Sequence, residues 1–273
     1  MDLELRGKAA LLVGAGRGIG GAAALSLARE GCKVALVARS AADLEARVKE
    51  CLAAGSPAAY AIAADATDAQ QLADAIDRAA TALGGLDLLV TLVGGSQPGG
   101  TADTLDAGWE SAFSRNLWPA VRASRFALPH LEKSAANARA RATAEGRDAA
   151  RQQSAIIHVA SIWGREGGGA LTYNAAKAAL ISLAHEQARE LAPRGIRVCS
   201  VAPGSVLHAG GSWERRQQQD PAGIAAFVQR EIPFGRFGTA GELGDVICFL
   251  GSPRASWVAG ACIVVDGAQS RSF

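Results

Sequence analysis

Apolar residues gather along the chain in short, nearly unbroken runs at residues 9–13, 34–38, 58–63, 86–93, 155–160, 197–201 and 262–265. A strand covered by helices on both faces reads this way, because neither face meets water. Longer stretches at 19–30, 41–54, 69–83 and 173–191 carry helical periodicity instead. Strand and helix alternate from end to end. The pattern predicts the α/β class: a single domain over residues 1–273, built as a doubly wound parallel sheet of Rossmann-like type with helices on both faces.

Two stretches interrupt the alternation. Residues 133–153 read KSAANARARATAEGRDAARQQ, with almost no large apolar side chain, and are expected to form an inserted, exposed helical extension or mobile loop. They join a helix to the next strand, which puts them at the end of the sheet away from the ligand crevice. Residues 204–237 follow a strand directly and look irregular, so they are expected to lie over the crevice as a substrate lid.

Composition narrows the function. With 273 residues and 49% of them hydrophobic, the chain can bury a substantial core. Its 28 basic and 26 acidic residues are spread along the whole length, so no concentrated field marks it for nucleic acid or an anionic membrane. Cys32, Cys51, Cys199, Cys248 and Cys262 lack metal or redox spacing, and their odd number argues against a complete disulfide framework. The acidic start has no apolar targeting core, and no apolar run reaches the roughly 20 residues of a membrane span. A cytoplasmic protein is expected.

Directly after the first predicted strand stands Gly14-Ala15-Gly16-Arg17-Gly18-Ile19-Gly20, opening a helix. Glycines there allow otherwise forbidden backbone angles and close approach to a pyrophosphate, while the helix amides face its charge. NAD-specific folds commonly end the second strand in an acid that holds the ribose hydroxyls. Here that place reads Arg39-Ser40, which predicts NADP(H) in preference to NAD(H), with Arg39 and Arg17 on the extra phosphate. Two solvated arginines are the plain alternative. Asp65, with Ala66 after the third strand, would meet the adenine edge or cap the following helix.

Tyr173 and Lys177 stand four residues apart on a predicted helix, so both side chains emerge on one face. A nearby ammonium favours a phenolate, bringing the tyrosine pKa down from about 10 toward the working range. Together with Ser161 after the fifth strand, Asn116 after the fourth, Pro203-Gly204 after the sixth, and the stretch from Gly235 to Gly267, the chain resembles the short-chain dehydrogenase/reductase family along nearly its whole length, and within it lies nearest in pattern to the 3-oxoacyl-(acyl-carrier-protein) reductase-like members.

The resemblance implies that Tyr173 is the general acid in reduction and the base in oxidation. Lys177 would hold the nicotinamide ribose, Ser161 the substrate oxygen, and Asn116 a water relaying protons to Lys177. Pro119 lacks an N–H for the Arg115 carbonyl, so the helix there should kink. The expected cofactor set is Gly14, Gly16, Arg17, Gly18, Ile19, Gly20, Arg39, Ser40, Asp65, Ala66, Gly94, Tyr173, Lys177, Pro203, Gly204 and Val206; no metal site is expected. By the same analogy, helices near 109–131 and 173–191 would pair between subunits in a dimer or tetramer, most simply a homotetramer.

The match has gaps. The family's Asn-Asn-Ala-Gly is Thr91-Leu92-Val93-Gly94 here, Val13 and Cys199 replace polar residues, and His208 replaces a threonine. His208 is expected to be a solvated loop residue and His158 a satisfied core histidine, while His130 and His185 have no partner suggested by spacing. Trp213, Phe227, Phe234, Arg215 and Arg216 in the lid suit an apolar group with an anionic tail. The expected activity is carbonyl–alcohol interconversion on a small molecule, with a 3-oxoacyl thioester, a simple ketone or a cyclic alcohol as substrate. A non-catalytic NADP(H)-sensing subunit, or an epimerase or dehydratase with a tightly held dinucleotide, are the alternatives.

Overall fold

The computed structural model describes residues 2–97 and 99–272. The first half runs β1 (Ala9–Val13), α1 (Gly18–Arg29), β2 (Lys33–Ala38), α2 (Ala41–Ala53), β3 (Ala59–Ala63), α3 (Ala69–Leu83) and β4 (Leu88–Thr91). Then come α4 (Asp106–Asn116), α5 (Trp118–Ala144), β5 (Ser154–Val159), α6 (Leu171–Leu191), β6 (Ile196–Pro203) and β7 (Val206–Leu207). The chain closes with α7 (Ser212–Gln219), α8 (Pro221–Glu231), β8 (Gly238–Thr239), α9 (Ala240–Gly251) and β9 (Cys262–Val265).

Seven strands form one parallel sheet in the order β3-β2-β1-β4-β5-β6-β9, the doubly wound arrangement expected. Val13 pairs with Val37 on one side and Thr91 on the other, so the chain leaves β1 and β4 in opposite directions and opens a crevice at their carboxyl ends. Alternate residues of each strand feed the two faces. Leu12, Leu36 and Val90 join α1 and α9 in one core, and Leu11, Val37 and Leu89 join α3 and α5 in the other. Small residues let α1 and α9 close up: a Cβ on Gly244 would stand 2.9 Å from the Ala22 backbone.

Residues 133–153 take the helical form of the two expected: through Ala144 they are the second half of α5, largely exposed, with Ala135, Ala138 and Ala142 buried on one stripe. The stripe packs because the partner surface is bare: a Cβ on Gly85 would lie 2.9 Å from Ser134 Oγ, and the Ser134 hydroxyl accepts from the Leu86 amide at 3.2 Å. Alanine needs close approach rather than bulk to be buried, which an apolar-run reading does not register.

Residues 204–237 are also not irregular. They fold as β7, α7 and α8, with β7 pairing β8. Both helices are short, and Gln217-Gln218-Gln219 hides the periodicity of α7. Helix α9 went unassigned from periodicity as well, although Thr239 and Glu242 form a reciprocal capping box at its start. Near Pro119 the expected single helix is two, α4 and α5, meeting at Leu117. No helix among the described residues is long and apolar enough to cross a membrane.

Candidate active site

Each glycine of the loop after β1 answers a different demand. Gly14 has φ +99°, and its Cβ would press on Leu92 C at 3.0 Å. Gly18 also has positive φ and lies under the His208 ring; a Cβ on Gly20 would collide with the Gly14 carbonyl oxygen at 2.3 Å. The loop is therefore folded flat on β4, and α1 begins at Gly18 with no side chain capping it, leaving its first amides to face the crevice.

Two cavities meet at Gly14, Arg17 and Gly94. The outer one, about 640 Å³, is lined by Gly16, Arg39, Ser40, Asp65 and Ala66 among others; the inner one, about 850 Å³, by Ile19, Gly20, Ser161, Tyr173, Lys177, Pro203, Gly204 and Val206. Every expected cofactor residue lines one or both. Some have local duties too. Ser40 caps α2 by accepting from the Asp43 amide, and Asp65 Oδ1 accepts from the Thr67 amide and hydroxyl at 2.9 and 2.8 Å. Asp65 does not cap α3; Asp68 does. Asp43 was not anticipated, yet its carboxylate faces the Arg39 cavity beside Gly16.

In the inner cavity Tyr173 and Lys177 rise from one face of α6, with Lys177 Nζ 5.7 Å from the tyrosine ring centre. Ser161 stands just past β5 and caps a tight turn at Ile162–Gly164, its hydroxyl accepting from the Trp163 amide at 3.2 Å. That turn lies directly on α6, since a Cβ on Gly164 would stand 2.7 Å from Lys177 C, and so Ser161 is held beside Tyr173. Lys177 is 3% exposed and donates to the Val159 carbonyl at 2.9 Å.

The electrostatics correct one expectation. Burial pushes the Tyr173 phenol above its ordinary value, with the Ser161 hydroxyl pulling the other way. Burial also lowers Lys177 to about 8, so the cation expected to stabilise the phenolate is itself weakened. Asn116 lines neither cavity. Its carboxamide grips Gly95, accepting from the amide at 2.9 Å and donating to the carbonyl at 3.1 Å, and so fixes the turn after β4. Past it, Pro119 has no N–H, and the Ala120 and Val121 amides both donate to Leu117, leaving the Asn116 carbonyl outside the helix ladder.

The residues suit a dinucleotide: a glycine cradle that any Cβ would fill, an uncapped helix start, and a buried ammonium with one neutral partner and two further N–H groups for hydroxyls. A family profile described as Enoyl-(Acyl carrier protein) reductase matches residues 14–268. The chain is a short-chain dehydrogenase/reductase. It is 34% identical to the cis-4-hydroxycyclohexanecarboxylate dehydrogenase of Sinomonas cyclohexanicum, covering 95% of both chains. It is 30% identical to 2-(S)-hydroxypropyl-CoM dehydrogenase 3 of Xanthobacter autotrophicus, covering 99% of both. Among solved structures it matches L-sorbose reductase from Gluconobacter frateurii, complexed with NADPH and L-sorbose, at a TM-score of 0.87 and 26% identity over 100% of both chains. Members of the family use a nicotinamide dinucleotide.

Where this short-chain dehydrogenase/reductase departs from its family's pattern, other groups fill the gap. Thr91 pairs with His158 across β4 and β5, its hydroxyl 2.7 Å from Nδ1, and His158 Nε2 meets Gln187 Oε1 of α6 at 3.0 Å. The chain of bonds ties two strands to α6. His158 is fully buried and its pKa falls to about 4, as a satisfied neutral core histidine requires. His130 and His185 do have partners, Asp77 and the Gly260 carbonyl, which only the fold brings near. His208 is not merely solvated: its ring covers Gly18 and lines the inner cavity.

Proposed function

We propose that the protein is an NADP(H)-dependent oxidoreductase interconverting a carbonyl and a secondary alcohol. The observation that carries this reading is that Ser161, Tyr173 and Lys177 line the same cavity as the glycine loop. When bound, the nicotinamide supplies or accepts the hydride. Tyr173 gives a proton to the substrate oxygen in reduction and takes it back in oxidation, and Ser161 donates to that oxygen as its charge grows. Lys177 holds the ribose hydroxyls and, while charged, favours the phenolate. The Asn116 carbonyl, outside the helix ladder, accepts from a water that returns protons to Lys177.

Arg39 and Arg17 at the outer cavity, with no acid at the end of β2, support the 2′-phosphate of NADP(H); Asp43 opposes them and limits the preference. The cytoplasmic placement, from the unpaired cysteines, and the homotetramer, on family analogy, remain part of this reading. The relatives' names support two substrate classes: the hydroxycyclohexanecarboxylate and hydroxypropyl-CoM dehydrogenases a small alcohol or ketone, and the 3-oxoacyl-[acyl-carrier-protein] reductase of Staphylococcus aureus, 34% identical, a carrier-bound 3-oxoacyl thioester.

The test is dinucleotide oxidation against a panel of small ketones. Turnover should fall roughly 10²- to 10⁴-fold in Tyr173→Phe, with dinucleotide binding retained, and Arg39→Asp should shift preference toward NADH. Tight NADPH binding with no turnover on any carbonyl would instead establish a sensing or binding subunit.

A further inference from the structure

The walls of the inner cavity carry an uneven charge. Among the described residues, Arg17, Lys177, Arg215 and Arg216 line it, and no aspartate or glutamate does. The nearest acids of the lid and of the turn before α6 are occupied: Glu214 accepts from the Gly210 amide at 2.7 Å, and Glu166 from the Arg271 and Ser272 amides at 2.8 and 2.7 Å. The four cations do not have equal duties. Lys177 sits in the catalytic group, and Arg17 caps the glycine loop where a dinucleotide phosphate belongs. Arg215 donates to the Gly210 carbonyl at 2.7 Å and orders the lid.

Arg216 has no such duty. Among the described residues its side chain makes no ion pair and no hydrogen bond. Its guanidinium lies 4.9 Å over the Trp213 ring. Trp213 is stacked in turn on Phe227 at 4.7 Å and leans on Phe237 at 5.2 Å, in a small core with Val228 and Ile232. An aromatic stack thus holds one planar guanidinium flat, with its N–H fork unused, at the wall of an acid-free cavity. That is the arrangement that binds a carboxylate or sulfonate through two parallel bonds, with little further side-chain ordering needed on binding.

Building on the oxidoreductase reading, we propose that the substrate is a small ketone or secondary alcohol bearing a monoanionic tail, and that Arg216 binds the tail while Trp213 and Phe227 cover the spacer. A bond of this kind to a charged group is worth roughly 1.5–3 kcal/mol, or about 10- to 100-fold in affinity.

The experiment compares a keto acid with its methyl ester, measuring kcat and KM with saturating dinucleotide for the unaltered protein, Arg216→Gln and Arg230→Gln. Arg230 lies on α8 paired with Glu231 and serves as the control. The expected result is an acid-to-ester ratio of kcat/KM about tenfold or more above one, carried by KM. Arg216→Gln should bring it toward one, and Arg230→Gln should leave it in place. Equal use of acid and ester, or a ratio untouched by Arg216→Gln, overturns the proposal and leaves the oxidoreductase reading standing. If neither compound turns over, calorimetric binding of the keto acid to the protein–dinucleotide complex decides separately. Binding lost in Arg216→Gln upholds the anion site while the catalytic reading fails, and no binding in either overturns both.

Discussion

The glycine loop and the segment 204–237, proposed as a lid, face each other across one cleft and are held by different means. The loop is backbone against backbone: Gly14 on Leu92, Gly20 on the Gly14 carbonyl, with the strands behind it fully buried. The lid helices α7 and α8 rest on their own aromatic cluster, apart from both main cores. The difference teaches where each kind of recognition resides. On the proposed reading, the dinucleotide pyrophosphate would be met chiefly by backbone amides and a helix dipole, whereas the substrate would be met by Trp213, Arg215, Arg216 and Phe227, which can be exchanged without disturbing the sheet.

This contrast can be broken in three places. The largest effect is expected from acid, through the body beneath the loop. His158 is neutral in the folded protein with a pKa of about 4 against 6.5 ordinarily, so the unfolded chain binds more protons between those values. Stability contributed above pH 6.5 is therefore lost as pH falls toward 4, by roughly 3 kcal/mol. Denaturant unfolding of the wild type and His158→Gln across that range should give a much flatter pH dependence in the variant; parallel curves would show that the buried Thr91–His158–Gln187 chain does not set acid stability.

Next comes Gly20→Ala, whose new methyl has nowhere to go. It should cost about 1–3 kcal/mol of stability through overpacking and abolish dinucleotide binding in a fluorescence titration. Normal binding would mean that the loop yields more readily than its contacts imply. The smallest effect is expected from Trp213→Ala. Loss of the stack should lower global stability by less than about 1 kcal/mol, while KM rises and limited proteolysis within residues 204–237 quickens. A fall in unfolding midpoint as large as that of Gly20→Ala would show that lid and body are one cooperative unit after all.

Much of the body was legible from the chain alone, because buried parallel strands are apolar without a break and the glycine loop announces itself by position. The lid was not, since α7 is only eight residues long with a single large apolar anchor, too little for a period to emerge. In the stretch at 133–153 the helix was legible but its buried stripe was not, because that stripe is alanine, which carries little hydrophobic signal. Asp43 was missed because nothing in a helix's first turn tells which loop lies opposite.

The sequence by itself determined the alternation of strand and helix, the glycine loop, and the Tyr173–Lys177 spacing, all of which rest on local periodicity and backbone freedom. Only the tertiary structure decided that Asn116 grips Gly95, that His158 closes a bond chain from Thr91 to Gln187, that burial weakens the Lys177 cation, and that Arg216 lies free on Trp213. Each of these depends on which distant groups share a cavity or a buried face, and on how much water remains there. Those quantities exist only once the chain has closed on itself.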